Sequence, residues 1–406
     1  MISLARSVRS GLLKHPGVLG VGHGWKITAG KPTQQYAVLI YVREKRSLAE
    51  LPREQRIPKL LDGVPTDIRV VGEAKGRQAD EHEHRFLDYV KLHKELAKAS
   101  PTKAPPSTVH DRNIGNVAVI EDDPSHSFII PAKKDVDWVS AFQKFRLTHP
   151  DNYDFVTFWS DFEVDCSCGA FYCGLVNPTK GVNWSACIAG GRAGWNSQRL
   201  FGFMYFIRDD DAALLQEIGH HWMAYTGFKY KKTDAQVSYE ICLGHEPGHW
   251  SSFFDDDASP MDYDESELGL PSGVSLDWVD NGDGTFTPKH IGPGQYHYSN
   301  LDLYLMGLIP SKDVGEFFFI KNPKKVGGKI RGTRVTLNVK NIIWANGTRR
   351  PSEAKSPKSF KNAFILLTKN ASTATPQAQK IDAVRQHLTE VFAAATDNRA
   401  QLITTL

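Results

Sequence analysis

The stretch that most constrains this chain spans residues 209–222, Asp-Asp-Asp-Ala-Ala-Leu-Leu-Gln-Glu-Ile-Gly-His-His-Trp. The three Asp residues supply an N-cap and a negative first turn, and Ala213, Leu214, Ile218 and Trp222 keep roughly helical spacing. The pattern predicts a helix over 211–222. Residues four apart share a helix face, so Gln216 and His220 stand one above the other with Glu217 beside them. The spacing is that of H-E-x-x-H, in which the two His residues hold zinc and the Glu takes a proton from metal-bound water. Here Gln216 stands where the first His would be. Taken alone, E-x-x-H also describes an ordinary solvated helix face.

Three downstream strings weigh against that bland reading. They are Gly244-His245-Glu246-Pro247-Gly248-His249-Trp250-Ser251, then Ala258-Ser259-Pro260-Met261, then Tyr298-Ser299-Asn300-Leu301-Asp302-Leu303-Tyr304-Leu305-Met306-Gly307-Leu308. Together with the helix they resemble a group of predicted bacterial zincin-like metallopeptidases. In that group an H-E-x-G-H-x-W helix is followed by an H-W-S segment, a Met-containing turn and a Y-S-x-L-D/E-x-Y-L-M-G-L helix. The resemblance covers residues 117–406. It implies an α+β zincin-like domain, a mixed sheet with an active-site helix, that uses zinc to hydrolyse bonds in a peptide or protein substrate.

Catalytic zinc takes three protein ligands and leaves one position open. His220 is the best-placed ligand by spacing, and the resemblance implies His249 as another, because it opens His249-Trp250-Ser251. Glu217 is the expected base. Gln216 departs from the pattern: its amide oxygen is neutral and harder than imidazole, so zinc affinity should fall. Three outcomes are open. Zinc binds weakly through Gln216, His245 or His221 replaces it, or the fold is a catalytically silent module that binds a peptide or protein. His245 to His249 also has H-E-x-x-H spacing, but Pro247-Gly248 favours a turn over a helix. His221 lies about 100° round the helix from His220 and is expected to pack. Met261 resembles the methionine that floors a zincin metal site, and it also reads as a core Met. Tyr298 is a candidate donor to a developing oxyanion, as tyrosines are in several zincins, with packing as its simpler role.

The remaining chain reads as support. Its 406 residues allow two or three domains, here 1–73, 74–115 and 116–406. Residues 12–73 predict a small α/β module with strands at 18–22, 36–42 and 67–71 and a short helix near 48–55. The strings at 16–22, 30–33 and 62–67 resemble a small N-terminal domain that also precedes trypsin-like domains in bacterial proteins. Residues 80–99 predict one exposed helix and 100–107 a Pro-rich linker. In the third region, 116–121, 153–160 and 200–207 predict strands, 302–308 and 376–394 helices, and 359–369 a helix-to-strand segment. The acidic Gly turn at 280–284 predicts a hairpin and lacks the order of a calcium loop.

A net charge of +3 with 23% charged residues gives no reason to expect nucleic acid or an anionic membrane as a partner. No stretch approaches the roughly 18 apolar residues of a membrane span. Residues 1–15 are basic and free of acids and lack the apolar run of a secretory signal, so a cytoplasmic location is expected. Five Cys without such a signal fit reduced thiols. Cys166, Cys168 and Cys173 lie close enough to raise a second metal site, against the simpler reading of incidental thiols.

Overall fold

The computed structural model describes residues 18–28, 31–42, 45, 51–52, 56–61, 64–70, 112–124, 127–165, 169–184, 191–207, 211–242, 248–257, 259–262, 275–291 and 296–406. The basic segment 1–15, the helix over 80–99, the linker 100–107 and most of the helix near 48–55 lie outside these residues. The chain divides into two compact units, Met1–Asp88 with Thr233–Glu240, and Tyr89–Lys232 with Ile241–Leu406.

The first unit holds strands β1 (Val18–Thr28), β2 (Lys31–Val42), β3 (Leu60–Leu61) and β4 (Val64–Val70) in the order β1-β2-β4-β3. β1 and β2 are antiparallel neighbours, whereas β2 and β4 run parallel. A parallel pair cannot be closed by a tight turn, so residues 43–63 make the crossover. Val38, Ile40 and Val42 are buried at every second position of β2 and pack with Val18, Ile57, Leu61 and Ile68.

The second unit opens with β5 (Arg112–Ile114), β6 (Val117–Glu121), β7 (Ile129–Ile130), β8 (Asp135–Val136) and helix α1 (Trp138–Phe145). Then come β9 (Phe155–Ser160), β10 (Ala170–Gly174), β11 (Gly202–Phe206), α2 (Asp211–Gly219), β12 (Phe254–Asp255), β13 (Ser275–Asp280), β14 (Thr285–Ile291) and α3 (Asn300–Met306). The chain ends with β15 (Glu316–Val326), β16 (Lys329–Asn338), α4 (Val339–Asn346), β17 (Ser359–Thr368), α5 (Thr375–Ala395) and β18 (Gln401–Ile403). This is a mixed α+β architecture. One seven-stranded sheet has the order β10-β11-β9-β17-β6-β5, with β18 beside β17. β11, β9, β17 and β6 are parallel, and β10 and β5 close the two ends antiparallel.

Both faces of this sheet are covered, which parallel strands require. Val117, Val119, Phe155, Trp159, Met204, Phe206, Phe364 and Leu366 point to one face, where Leu214, Leu215 and Ile218 of α2 join Leu301, Leu305, Ile381 and Leu388. Their alternates Ala118, Ile120, Val156, Phe158, Phe203, Tyr205, Ala363 and Ile365 point to the other face, against Trp138, Phe142 and Phe145 of α1. The expected helix-to-strand segment at 359–369 is strand over Ser359–Thr368, with no helix. Its apolar run does not distinguish helix from strand locally, and pairing with β9 and β6 on its two sides decides it. A second sheet, β12-β15-β16-β14-β13, is antiparallel. The acidic Gly turn is its β13–β14 hairpin, with Gly282 at φ +78° and Gly284 at φ +79°.

One glycine ties the loop after β10 to the segment before β17. Gly181 sits at φ +80°, and an added Cβ would lie 2.8 Å from Arg349 N, Gly347 O and the Thr348 carbonyl carbon. All three neighbours are backbone and cannot swing aside. Gly181→Ala should therefore destabilise the second unit by about 2 kcal/mol, read as a shift of the denaturant midpoint, and an unchanged midpoint would mean that the strand-like bridge at Lys180 and Arg350 yields easily.

Candidate metal centre

Helix α2 is held from both sides. Tyr298 donates its hydroxyl proton to the Leu215 carbonyl at 2.6 Å, and Asp211 in the first turn meets His387 of α5 at 2.8 Å. Gly219 is the point of closest approach below, because a Cβ there would fall 2.4 Å from Met261 Sδ and 2.8 Å from Met223 Cε. Met261 is fully buried. It lies against the helix end, which agrees equally with the floor and the core readings of this Met. The helix stops at Gly219 instead of running to residue 222. His220 N–H still donates to the Gln216 carbonyl at 3.0 Å, but His221 and Trp222 reach only three residues back, to Ile218 and Gly219. That tightening of the last turn is a common helix ending.

Gln216 and Glu217 are each 5% exposed despite their polarity. Nε2 of Gln216 is buried with no hydrogen-bond partner among the described residues. Glu217 Oε2 lies 3.9 Å from His220 Nε2. His249, half-buried, comes in from the segment after the helix and sets its ring edge-on to that of His220, with centroids 4.8 Å apart. Gly248, just before His249, adopts φ +107°, and a Cβ added there would lie 3.6 Å from the His220 ring. Burial, reinforced by His249, holds the His220 pKa well below the usual imidazole value. His220 is therefore neutral at neutral pH, the form that ligates a metal.

The segment bearing His249 is itself anchored. Trp250 N–H donates to the Met261 carbonyl and Ser251 N–H to the Ile241 carbonyl, both at 2.9 Å. The Trp250 indole N–H donates to Asp302 Oδ1 at 2.9 Å. Asp302 belongs to the capping box of α3 with Ser299. Tyr225, which no sequence pattern singles out, donates its hydroxyl proton to the His220 carbonyl at 3.0 Å.

The other candidates fall elsewhere. His221 is buried, accepts or donates at Nδ1 with the Tyr172 hydroxyl at 2.9 Å, and stacks on Phe201 at 5.0 Å between centroids. Burial and the charges of Arg192 and Arg349 push its pKa down to about 3. It packs, as expected, and does not replace Gln216. Tyr298 is 1% exposed, and its only proton goes to Leu215, so in this conformation it serves the helix backbone and not an oxyanion. His245, Cys166 and Cys168 lie outside the described residues. Cys173 and Cys242 are buried.

No family model, curated protein or solved structure matches this chain. Residue chemistry alone must judge the site. Among the described residues no three His, Cys, Asp or Glu side chains are grouped to hold a metal ion. Two imidazole donors, a neighbouring carboxylate and an amide with one unsatisfied end are nevertheless the right kinds of group for zinc. An amide presents oxygen or nitrogen by a half-turn of its last torsion, so Gln216 can turn an acceptor toward an ion. The donor set fits zinc, with Gln216 as its weak member. Among the described residues no helix is long and apolar enough to cross a membrane.

Proposed function

We propose that this chain is a zinc-dependent peptide hydrolase of zincin type, with a metal motif weakened at Gln216. The observation that supports this reading best is the meeting of His249 with His220 beside Glu217, from segments about 30 residues apart. His220 and His249 would hold the ion, with Gln216 or His245 as the third donor. Zinc bound there would supply a Lewis acid for the scissile carbonyl and for a water molecule. Glu217 would act as the base that takes a proton from water on Oε2 and gives it to the leaving nitrogen. Met261 and Gly219 fix the height of the helix, and Asp302, through Trp250, fixes the approach of His249. The outer edge of β10 is where an extended substrate would add by backbone pairing.

His249→Ala tests the assignment directly. The variant should lose bound zinc while its far-ultraviolet circular dichroism stays that of the wild type. Unchanged zinc content would remove His249 from the ligand set. A wild-type protein that binds no zinc at all would instead be the silent module that holds a peptide or protein in its cleft.

A further inference from the structure

The turn that carries Met261 contains a carboxylate with no evident means of staying charged. Asp256 is 2% exposed. Its Oδ1 accepts one long bond from Ser259 N–H at 3.3 Å, and its Oδ2 has no hydrogen-bond partner among the described residues. The charged groups facing it are Asp262 on the same turn, Asp302 of α3 and Asp277 of β13, all three carboxylates and all buried. Lys289 lies 3.8 Å from Asp277 and Arg334 3.3 Å from Asp280. Neighbouring Asp255 faces Asp277, Asp257 and Arg334, and receives Trp278 N–H at 2.8 Å. Asp256 itself forms no ion pair among the described residues.

Two buried carboxylates in unequal surroundings divide the charge unequally. Asp302 accepts from the Trp250 indole at 2.9 Å and from Ser299 N–H at 3.0 Å, with a further bond from the Ser259 side chain. It is the better home for the negative charge. We infer that Asp256 is a neutral carboxylic acid at neutral pH, a proton lock on the turn beneath helix α2 that opens when the acid ionises. Ionisation would set an uncompensated charge against Asp262 and Asp302, and so work on the turn that bears Met261 and receives Trp250 N–H. Burial and these carboxylates both act to raise the Asp256 pKa well above the ordinary carboxylate value.

The sign follows from linkage. A group whose folded pKa exceeds its unfolded value gives its full stabilisation below the unfolded value and loses it as pH climbs to the folded value. From the ordinary carboxylate pKa of about 4 up to its raised folded value, the wild type should therefore lose up to about tenfold in folding equilibrium constant per pH unit relative to Asp256→Asn, whose amide cannot ionise. The infrared spectrum of the wild type at neutral pH should also contain a protonated-acid carbonyl stretch that Asp256→Asn lacks. The wild-type spectrum serves even if the variant folds poorly. Titration with calcium chloride completes the set. Absence of the acid band, equal pH slopes in the two proteins, or a large calcium stabilisation confined to the wild type would each overturn the inference, the last by making the cluster an ionised cation site.

Discussion

Gln216→His should tighten zinc binding by at least about tenfold, the smaller of the changes caused by losing an outer partner of a metal ligand. The substitution replaces a neutral oxygen donor by imidazole at the same helical position. The helix cannot rotate to avoid the change. Leu214, Leu215 and Ile218 are within 1% of complete burial, Gly219 is pinned on Met261, and the Leu215 carbonyl is tied to Tyr298. Residue 216 keeps its i, i+4 relation to His220, whose N–H reaches the Gln216 carbonyl at 3.0 Å. Any peptidase activity should rise with zinc occupancy and fall by roughly 10²- to 10⁴-fold when Glu217→Ala is added, the usual cost of removing a general base. Zinc titration and hydrolysis of an unfolded protein by wild type, Gln216→His and the double variant supply the comparison. Gln216→His binding zinc no better than wild type would mean that residue 216 does not face the ion, and activity surviving Glu217→Ala would remove that residue as the base.

What the sequence makes legible here is local. α2, α5, β9 and β11 form where their patterns lead one to expect, but only α5 keeps a one-sided face, with Ile381, Leu388 and Phe392 inside as their spacing requires, while residues 213–219 of α2, 155–159 of β9 and 202–206 of β11 are buried on all sides. The tight packing at the helix end is not local, since Gly219, its last residue, lies against Met261, 42 residues away. Tyr298 shows the same limit. Its place in a motif marks it as a donor, but the recipient is set by which backbone carbonyl lies opposite, and that is Leu215.

The run Asp255-Asp256-Asp257 is less legible still. Three consecutive acids read as a solvated turn, and Asp257, at φ +57°, is exposed as that reading would have it. Asp256 points the opposite way and is buried among other carboxylates. Alternation along two residues places one acid in water and its neighbour in the core, and no local pattern says which. For β17 the ambiguity is of another kind. Ala363 to Leu367 is apolar on both faces, so its period is hidden until β9 and β6 flank it.

Arg349→Met should cost about 3–5 kcal/mol, the range for breaking a buried, fully bonded charge. Arg349 is 4% exposed. Its Nε donates to the Leu305 carbonyl and its Nη2 to the Met306 carbonyl, both at 2.8 Å, while Nη1 donates to Ser356 Oγ at 2.6 Å and to the Pro351 carbonyl. The first two acceptors end α3, where unsatisfied carbonyls and the negative end of the helix dipole favour a cation. Burial lowers the guanidinium pKa to about 10, still leaving it charged at neutral pH. Methionine fills the space and leaves those carbonyls without donors, so the melting temperature of the second unit should fall on the order of 10 °C. Arg349→Lys separates charge from geometry, since an ammonium keeps the cation but cannot fork to several acceptors at once. It should recover only part of the loss. The effect should also reach the candidate site, because α3 carries Asp302 and Asp302 holds the Trp250 indole next to His249. Weaker zinc binding in Arg349→Met at temperatures where the protein is still folded is the expected result. A full loss of stability with zinc affinity intact would show that α3 does not position His249.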